Sequence, residues 1–232
     1  MTFRFALFPA LLFCALLRMG APALAADAKD MTARLQKQYG ELKGFSADFE
    51  QILTHRESGA VEKRKGSLLF QKPLFIRWET QKPHQELLAA TGKEIWNYLP
   101  DEELAYRYPL SMLQDSRNII GVLTGQAALT RDFEVKAEGM EGGFAKLKLY
   151  PKEPGPQMVE ALIWVDNADG YLRRAEITDF YGNKNEVRFT SFTPRPDFKG
   201  SDFNFTPPKG VEIEDHTGEK SQGRKLFNSF GQ

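Results

Sequence analysis

The chain has 232 residues, 41% of them hydrophobic, with 31 basic and 31 acidic side chains and a formal net charge of zero. That length suits one domain with a substantial core. The balanced charge excludes the basic excess of a nucleic-acid footprint and a strong general pull toward anionic membranes, so no nucleic-acid partner is expected.

The first 25 residues read as a signal peptide. Arg4 supplies the positive start, Phe5 to Leu17 is an apolar run too short to span a bilayer, and Ala23-Leu24-Ala25 fits the small-x-small cleavage pattern. Export to the periplasm with cleavage near Ala25 is therefore expected. Cys14, the one cysteine, lies deep in the apolar run behind Phe13, where a lipid-modified cysteine needs a small residue before it. It leaves with the signal, and the mature chain has neither a disulfide nor thiol chemistry. Loss of Arg4 and Arg18 brings the mature net charge to −2.

A helix comes next. Met31, Leu35, Tyr39 and Leu42 recur at helical spacing, Asp27 and Asp30 favour its start, and Gly40 and Gly44 weaken its end. From Phe45 the period changes to two: Phe45, Ala47 and Phe49 alternate with Ser46, Asp48 and Glu50, as in a strand with one wet face. Leu68/Phe70, Leu74/Ile76/Trp78, Glu94/Trp96/Tyr98, Leu147/Leu149, Leu162/Trp164, Ala175/Ile177 and Val187/Phe189 keep that step. Glu57-Ser58-Gly59, Thr91-Gly92, Asp169-Gly170 and Gly182-Asn183 read as hairpin turns.

Leu110 to Leu123 interrupts the strands. Leu110, Leu113, Ile119, Ile120 and Leu123 fall at mostly three- and four-residue steps, a short helical insertion with Gly121 inside it. Residues 139–143 and 151–156 read as loops. Phe203-Asn204-Phe205 reads as an aromatic strand stopped by Pro207-Pro208 and a turn at Gly210, and the segment from Asp215 reads as a flexible tail. The expected boundaries are a signal at 1–25, one domain at 26–214 and a tail at 215–232. Many consecutive short strands with two helical pieces predict a mainly β protein, a curved antiparallel sheet, closed or half-closed, with helices over its mouth. A sheet curled around an apolar cavity needs such a cover, because a bare cavity invites aggregation.

Catalytic signatures are missing. There is no Gly-x-Ser-x-Gly elbow, no phosphate-binding loop and no His-Glu-x-x-His helix. His55, His84 and His216 are widely separated. Asp166-Asn167-Ala168-Asp169-Gly170 resembles a calcium loop only superficially, since Ala168 stands where an oxygen is needed, and it reads as a hairpin turn. Asp101-Glu102-Glu103 after Pro100 reads as a solvated turn. The sequence supports no enzyme and no cofactor.

Several motifs nevertheless stand in a specific order: Phe45-Ser46-Ala47-Asp48-Phe49-Glu50-Gln51, Gly66 to Phe70, Lys72-Pro73 through Trp78, Thr91 to Pro100, Ile119 to Leu123, and the Phe203 to Val211 ending. In this the chain resembles the periplasmic outer-membrane lipoprotein carrier (LolA) family over nearly the whole mature length. The resemblance implies an incomplete, half-open antiparallel barrel with an N-terminal helix and a short helical lid around an apolar cavity. It implies a carrier that takes lipoprotein acyl chains from an inner-membrane ABC transporter and yields them to an outer-membrane lipoprotein receptor, without cofactor or catalysis. A monomer is expected. Each buried methylene is worth ~0.8 kcal/mol, so a dozen give on the order of 10 kcal/mol.

Phe49, Leu68, Phe70, Trp78, Leu87, Trp96 and Tyr98 are the candidate cavity residues, and any one of them fits core packing as well as lipid contact. Ile119, Ile120 and Leu123 are the candidate lid. Many family members carry arginine at the position of Lys72, where it holds the lid by hydrogen bonds; lysine keeps the charge and loses the planar fork. Arg77 is the second latch candidate, although alternation turns it away from Trp78. Two other readings stay open: a carrier of free lipid or glycolipid, or a lipid-sensing envelope-stress regulator, on the same fold; and an unrelated periplasmic enzyme or structural envelope protein.

Overall fold

A computed structural model describes residues 21–113, 118–194 and 198–218. Most of the expected signal, with Cys14, and the expected tail beyond residue 218 lie outside the described residues. Helix α1 (Ala21–Glu41) begins earlier than predicted. The alanine-rich stretch at its start has the highest helix propensity and carries the helix through Asp27 and Asp30, which therefore do not cap it.

Two meanders follow. The first comprises β1 (Gly44–Thr54), β2 (Val61–Gln71), β3 (Phe75–Lys82), β4 (Glu86–Thr91), β5 (Glu94–Leu99) and β6 (Leu104–Pro109). After the 3-10 turn Leu110–Leu113 come α2 (Ile119–Leu123) and α3 (Leu129–Asp132). The second meander is β7 (Phe133–Glu141), β8 (Phe144–Pro151), β9 (Glu160–Asp166), β10 (Leu172–Thr178) and β11 (Lys184–Pro194), and β12 (Glu212–Asp215) closes the described chain. One twelve-stranded sheet results, in the order β12-β6-β5-β4-β3-β2-β1-β11-β10-β9-β8-β7. Long antiparallel pairing of β1 with β11 joins the meanders, and β12 lies parallel to β6 at one edge. Strands β7 and β12 end the order without pairing to each other, so the sheet is an open, incomplete barrel.

Cross-strand register sorts side chains into rows. On one face Phe45, Phe70, Ile76, Ala90, Ile95 and Tyr108 form one row from β1 to β6, and Ala47, Leu68, Trp78 and Leu88 form the next. Ala175, Ile163 and Leu147 continue the apolar face through β10, β9 and β8. These residues are buried and share one core with Leu35 and Tyr39 of α1, with Leu42 just after it, and with Ile119, Ile120, Val122 and Leu123 of α2. The helices therefore cover this concave face, as the mixed helix and strand pattern requires. Gly66 permits a close approach: a Cβ there would meet the Glu79 carbonyl at 1.9 Å and Phe49 Cζ at 2.8 Å.

The structure corrects three sequence readings. Phe203-Asn204-Phe205 is not a strand: a 3-10 turn (Gly200–Phe203) leads into an extended segment that lies on the opposite face. Residues 139–143 are not a free loop: Gly139 sits at an irregularity within β7, and Gly142-Gly143 make the tight β7–β8 turn. Asp215 does not begin the tail: it ends β12, ion-pairs with Arg107 at 3.0 Å, and is followed by a His216 N–H that donates to the Arg107 carbonyl at 2.8 Å. The Asp166 to Gly170 turn is a hairpin, in which Asp166 Oδ1 accepts from the Ala168 N–H at 2.8 Å.

Candidate functional site

The covered concave face is the candidate site. Of the predicted cavity residues, Phe49, Leu68, Phe70 and Trp78 lie on it and are at most 1% exposed. They lie in adjoining rows of the sheet. Phe49 packs on Trp78 at 4.4 Å between centroids, Phe45 on Phe70 at 5.5 Å and on Phe192 at 4.8 Å. Phe192 meets Tyr171 at 5.0 Å, and Tyr171 meets Tyr39 of α1 edge-on at 5.9 Å. This chain of rings runs from the sheet to its helical cover. Phe45, Phe189 and Phe192 were not among the predicted cavity residues, although Phe45 and Phe189 stood in the period-two pattern.

Leu87, Trp96 and Tyr98 lie on the other face. Leu87 pairs with Tyr98 and Ala89 with Trp96, whereas the concave rows pass through Leu88 and Ile95. Phe205 covers the two rings, 6.0 Å from Trp96 and 5.4 Å from Tyr98, and Phe203 packs on Phe75 at 5.7 Å. The extended segment after the Gly200–Phe203 turn straps the outer face, and both faces of β4 and β5 are thereby covered. Arg77 belongs to this strap: it pairs with Glu79 and donates from Nη1 to the Asn204 carbonyl at 3.2 Å. Its bonds among the described residues are to the outer strap and to its own strand, so its placement as a lid latch is corrected.

The predicted lid residues Ile119, Ile120 and Leu123 are buried in α2 against the concave face, where α2 packs on β10. Asn118 caps that short helix, its Oδ1 accepting from the Gly121 N–H at 2.7 Å. Beyond α2, Gly125 has φ +69° and presses on Tyr39, whose ring a Cβ would meet at 2.2 Å. The loop after α2 and the end of α1 thus fit against each other.

The Lys72 side chain meets the end of α1. Its Nζ donates to the carbonyls of Tyr39 and, at 3.0 Å, Gly40. Those carbonyls belong to the last turn of α1, where the helix leaves acceptors and favours a cation. Partial burial holds the Lys72 ammonium below the usual lysine range. The next residue completes the clip: Gln126, after α2, donates from Nε2 to the Pro73 carbonyl. One β2–β3 turn therefore ties down both parts of the cover. No sequence signal marked Gln126, because its partner is a backbone carbonyl distant in the chain.

Space inside the closed cover is small. A void lined by Leu35, Tyr39, Val122, Leu129, Ile163 and Leu172 measures about 20 Å³. A chain of twelve methylenes needs on the order of 300–400 Å³, taking each as roughly the share of a water molecule. A more open hollow of about 390 Å³ lies between α1 and β7, over Ala28, Thr32, Phe133, Val135 and Ala137, with Lys29 and Lys136 among its lining. Among the described residues no cluster of three metal-ligating side chains occurs and no helix is long and apolar enough to cross a membrane.

This architecture has relatives. The family model described as outer membrane lipoprotein carrier protein LolA matches residues 40–206. An outer-membrane lipoprotein carrier protein of Xanthomonas oryzae pv. oryzae is 29% identical over 74% of this chain and 82% of its own length. Another of that name from Pseudoalteromonas translucida is 28% identical over 87% of this chain and 95% of its own. Among solved structures, a conserved protein of Thermus thermophilus matches 81% of this chain and 98% of its own with a TM-score of 0.53 at 15% identity, a likeness of fold. With its open sheet, its helix-covered apolar face and a family match spanning most of the residues that build them, the chain belongs to the outer membrane lipoprotein carrier LolA family.

Proposed function

We propose that this protein carries lipoproteins through the periplasm by holding their acyl chains on the concave face beneath α1 and α2. It receives them from an inner-membrane ABC transporter and gives them to an outer-membrane lipoprotein receptor. The observation that carries this reading is the aromatic floor of Phe45, Phe49, Phe70 and Trp78, roofed by two helical pieces that a single turn clips shut. The relatives named as outer-membrane lipoprotein carrier proteins agree with that reading.

Acyl uptake requires α1 and α2 to lift, since the void between them and the sheet accommodates about one water molecule. The acyl chain then takes the place of the helices against the floor and covers again the apolar surface that lifting exposes. Opening thus becomes favourable once cargo is present. The hollow between α1 and β7 is the port through which a chain first enters. Mass spectrometry of acyl species that co-purify with the protein from its periplasm tests the reading. Triacylated peptides are expected; free phospholipid or glycolipid alone would shift the cargo to that class, and repeated absence of acyl species would end the proposal.

A further inference from the structure

The concave face is not apolar throughout. Toward one end of β1 to β4 its rows turn polar: Gln51 follows Phe49, Arg64 lies beyond Leu68 and Gly66, Thr80 follows Trp78, and Glu86 precedes Leu88. Gln51 pairs with Arg64 on one side and with Val187 on the other. Its side chain is 0% exposed. Its Nε2 donates to Asn185 Oδ1 at 3.0 Å, while its Oε1 is buried with no hydrogen-bond partner among the described residues. Arg64 Nε donates to Glu62 at 2.6 Å, and its Nη1 reaches Glu86 at 3.4 Å.

A buried amide oxygen without a donor costs stability, and an apolar residue of similar size would avoid that cost. The position adjoins the aromatic floor and ends the Phe45 to Gln51 motif. We propose that this polar corner is a head-group site, in which Gln51 Oε1 accepts a hydrogen bond from the uncharged polar head of a molecule whose acyl chains lie on the floor. Charge selects the kind of head. Two carboxylates, Glu62 and Glu86, already answer the guanidinium of Arg64, so among the described residues the corner offers a phosphate no uncompensated cation. A peptide N–H following an acylated residue has the needed chemistry, and so does the hydroxyl of a glycolipid. This inference rests on the carrier reading and adds the recognition of the head to that of the chains.

The test titrates the mature protein with a triacylated lipopeptide, a glycolipid bearing the same chains and a free fatty acid of that length. Wild type is compared with Gln51→Leu and Gln51→Met. Loss of the acceptor should weaken the lipopeptide, the glycolipid or both by about three- to tenfold, the worth of one net hydrogen bond. The fatty acid should be unaffected, and thermal stability should be little changed, because removal of the orphaned acceptor offsets loss of the Nε2 bond to Asn185. A loss confined to the lipopeptide assigns the donor to peptide N–H, and one confined to the glycolipid assigns it to sugar hydroxyls. Equal affinities for all probes, a uniform loss, or failure of both variants to fold would each overturn the head-group site and leave the carrier reading standing. Wild-type protein that takes up no acyl probe would instead overturn the carrier reading itself.

Discussion

Lys72→Leu should loosen the cover. The side chain's Nζ bonds two carbonyls at the end of α1, those of Tyr39 and Gly40, next to the turn that also anchors Gln126. A hydrogen bond from a charged donor is worth roughly 1.5–3 kcal/mol when buried. Lys72 is largely exposed, so solvent screening reduces the expected contribution to about 1 kcal/mol. That shifts the closed-to-open ratio by about fivefold. Opening uncovers Phe45, Phe70 and Trp78, so the variant should take up an apolar dye more readily and retain lipopeptide more strongly, passing it to a receptor more slowly. Native-state hydrogen exchange at the end of α1 should quicken by about the same factor. Lys72→Arg should restore closure. Gln126→Ala should act in the same direction as Lys72→Leu, and the double variant should depart from additivity because both side chains hold one turn. If Lys72→Leu matches wild type in amide exchange and dye uptake, the turn is no latch.

Phe203→Ala should lower stability by about 3 kcal/mol in urea denaturation while the folded protein takes up acyl probes normally, since Phe203 is buried on the outer face. Leu123→Asp should lower both the melting temperature and acyl uptake, because an unpaired carboxylate at a fully buried position disfavours docking of α2 as well as cargo. The Thr217 N–H and hydroxyl, followed by Arg107, hold Asp215 below the usual aspartate range. Its contribution to holding β12 on β6 is therefore complete above the ordinary value of about 3.9 and lost as pH falls below that through the lowered folded value. NMR signals of residues 212–216 should report β12 loosening in that window, and Asp215→Asn should abolish its pH dependence.

The strands were legible because alternation is local: Phe45-Ala47-Phe49 and Ile76-Trp78 face the core as their pattern requires. Which face of a strand is concave was less legible. Trp96 and Tyr98 looked like the apolar face of β5, with Asn97 opposing, but Asn97 lies in the concave row and the aromatic pair is covered by Phe205 from more than 100 residues away. Period two tells which residues share a face, and only long-range pairing tells what covers that face. The partners of Lys72 were illegible for a related reason. Lys72 was marked by its place beside Pro73, but its acceptors are backbone carbonyls, which carry no sequence signature. The helical insertion was readable because Ile119, Ile120 and Leu123 repeat at helical spacing within a chain of strands.

The chain's three tryptophans allow the most direct test of where acyl chains bind. Trp78 lies on the concave floor, whereas Trp96 sits under Phe205 and Trp164 is stacked beneath the Arg174 guanidinium at 3.9 Å on the opposite face. Three variants, each retaining one tryptophan and carrying phenylalanine at the other two positions, should be titrated with a lipopeptide whose acyl chains carry bromine as a fluorescence quencher. Strong quenching of Trp78, with Trp96 and Trp164 nearly unaffected, is the predicted result. Quenching of Trp96 or Trp164 with Trp78 left bright would place the chains on the outer face and contradict acyl binding beneath the helical cover.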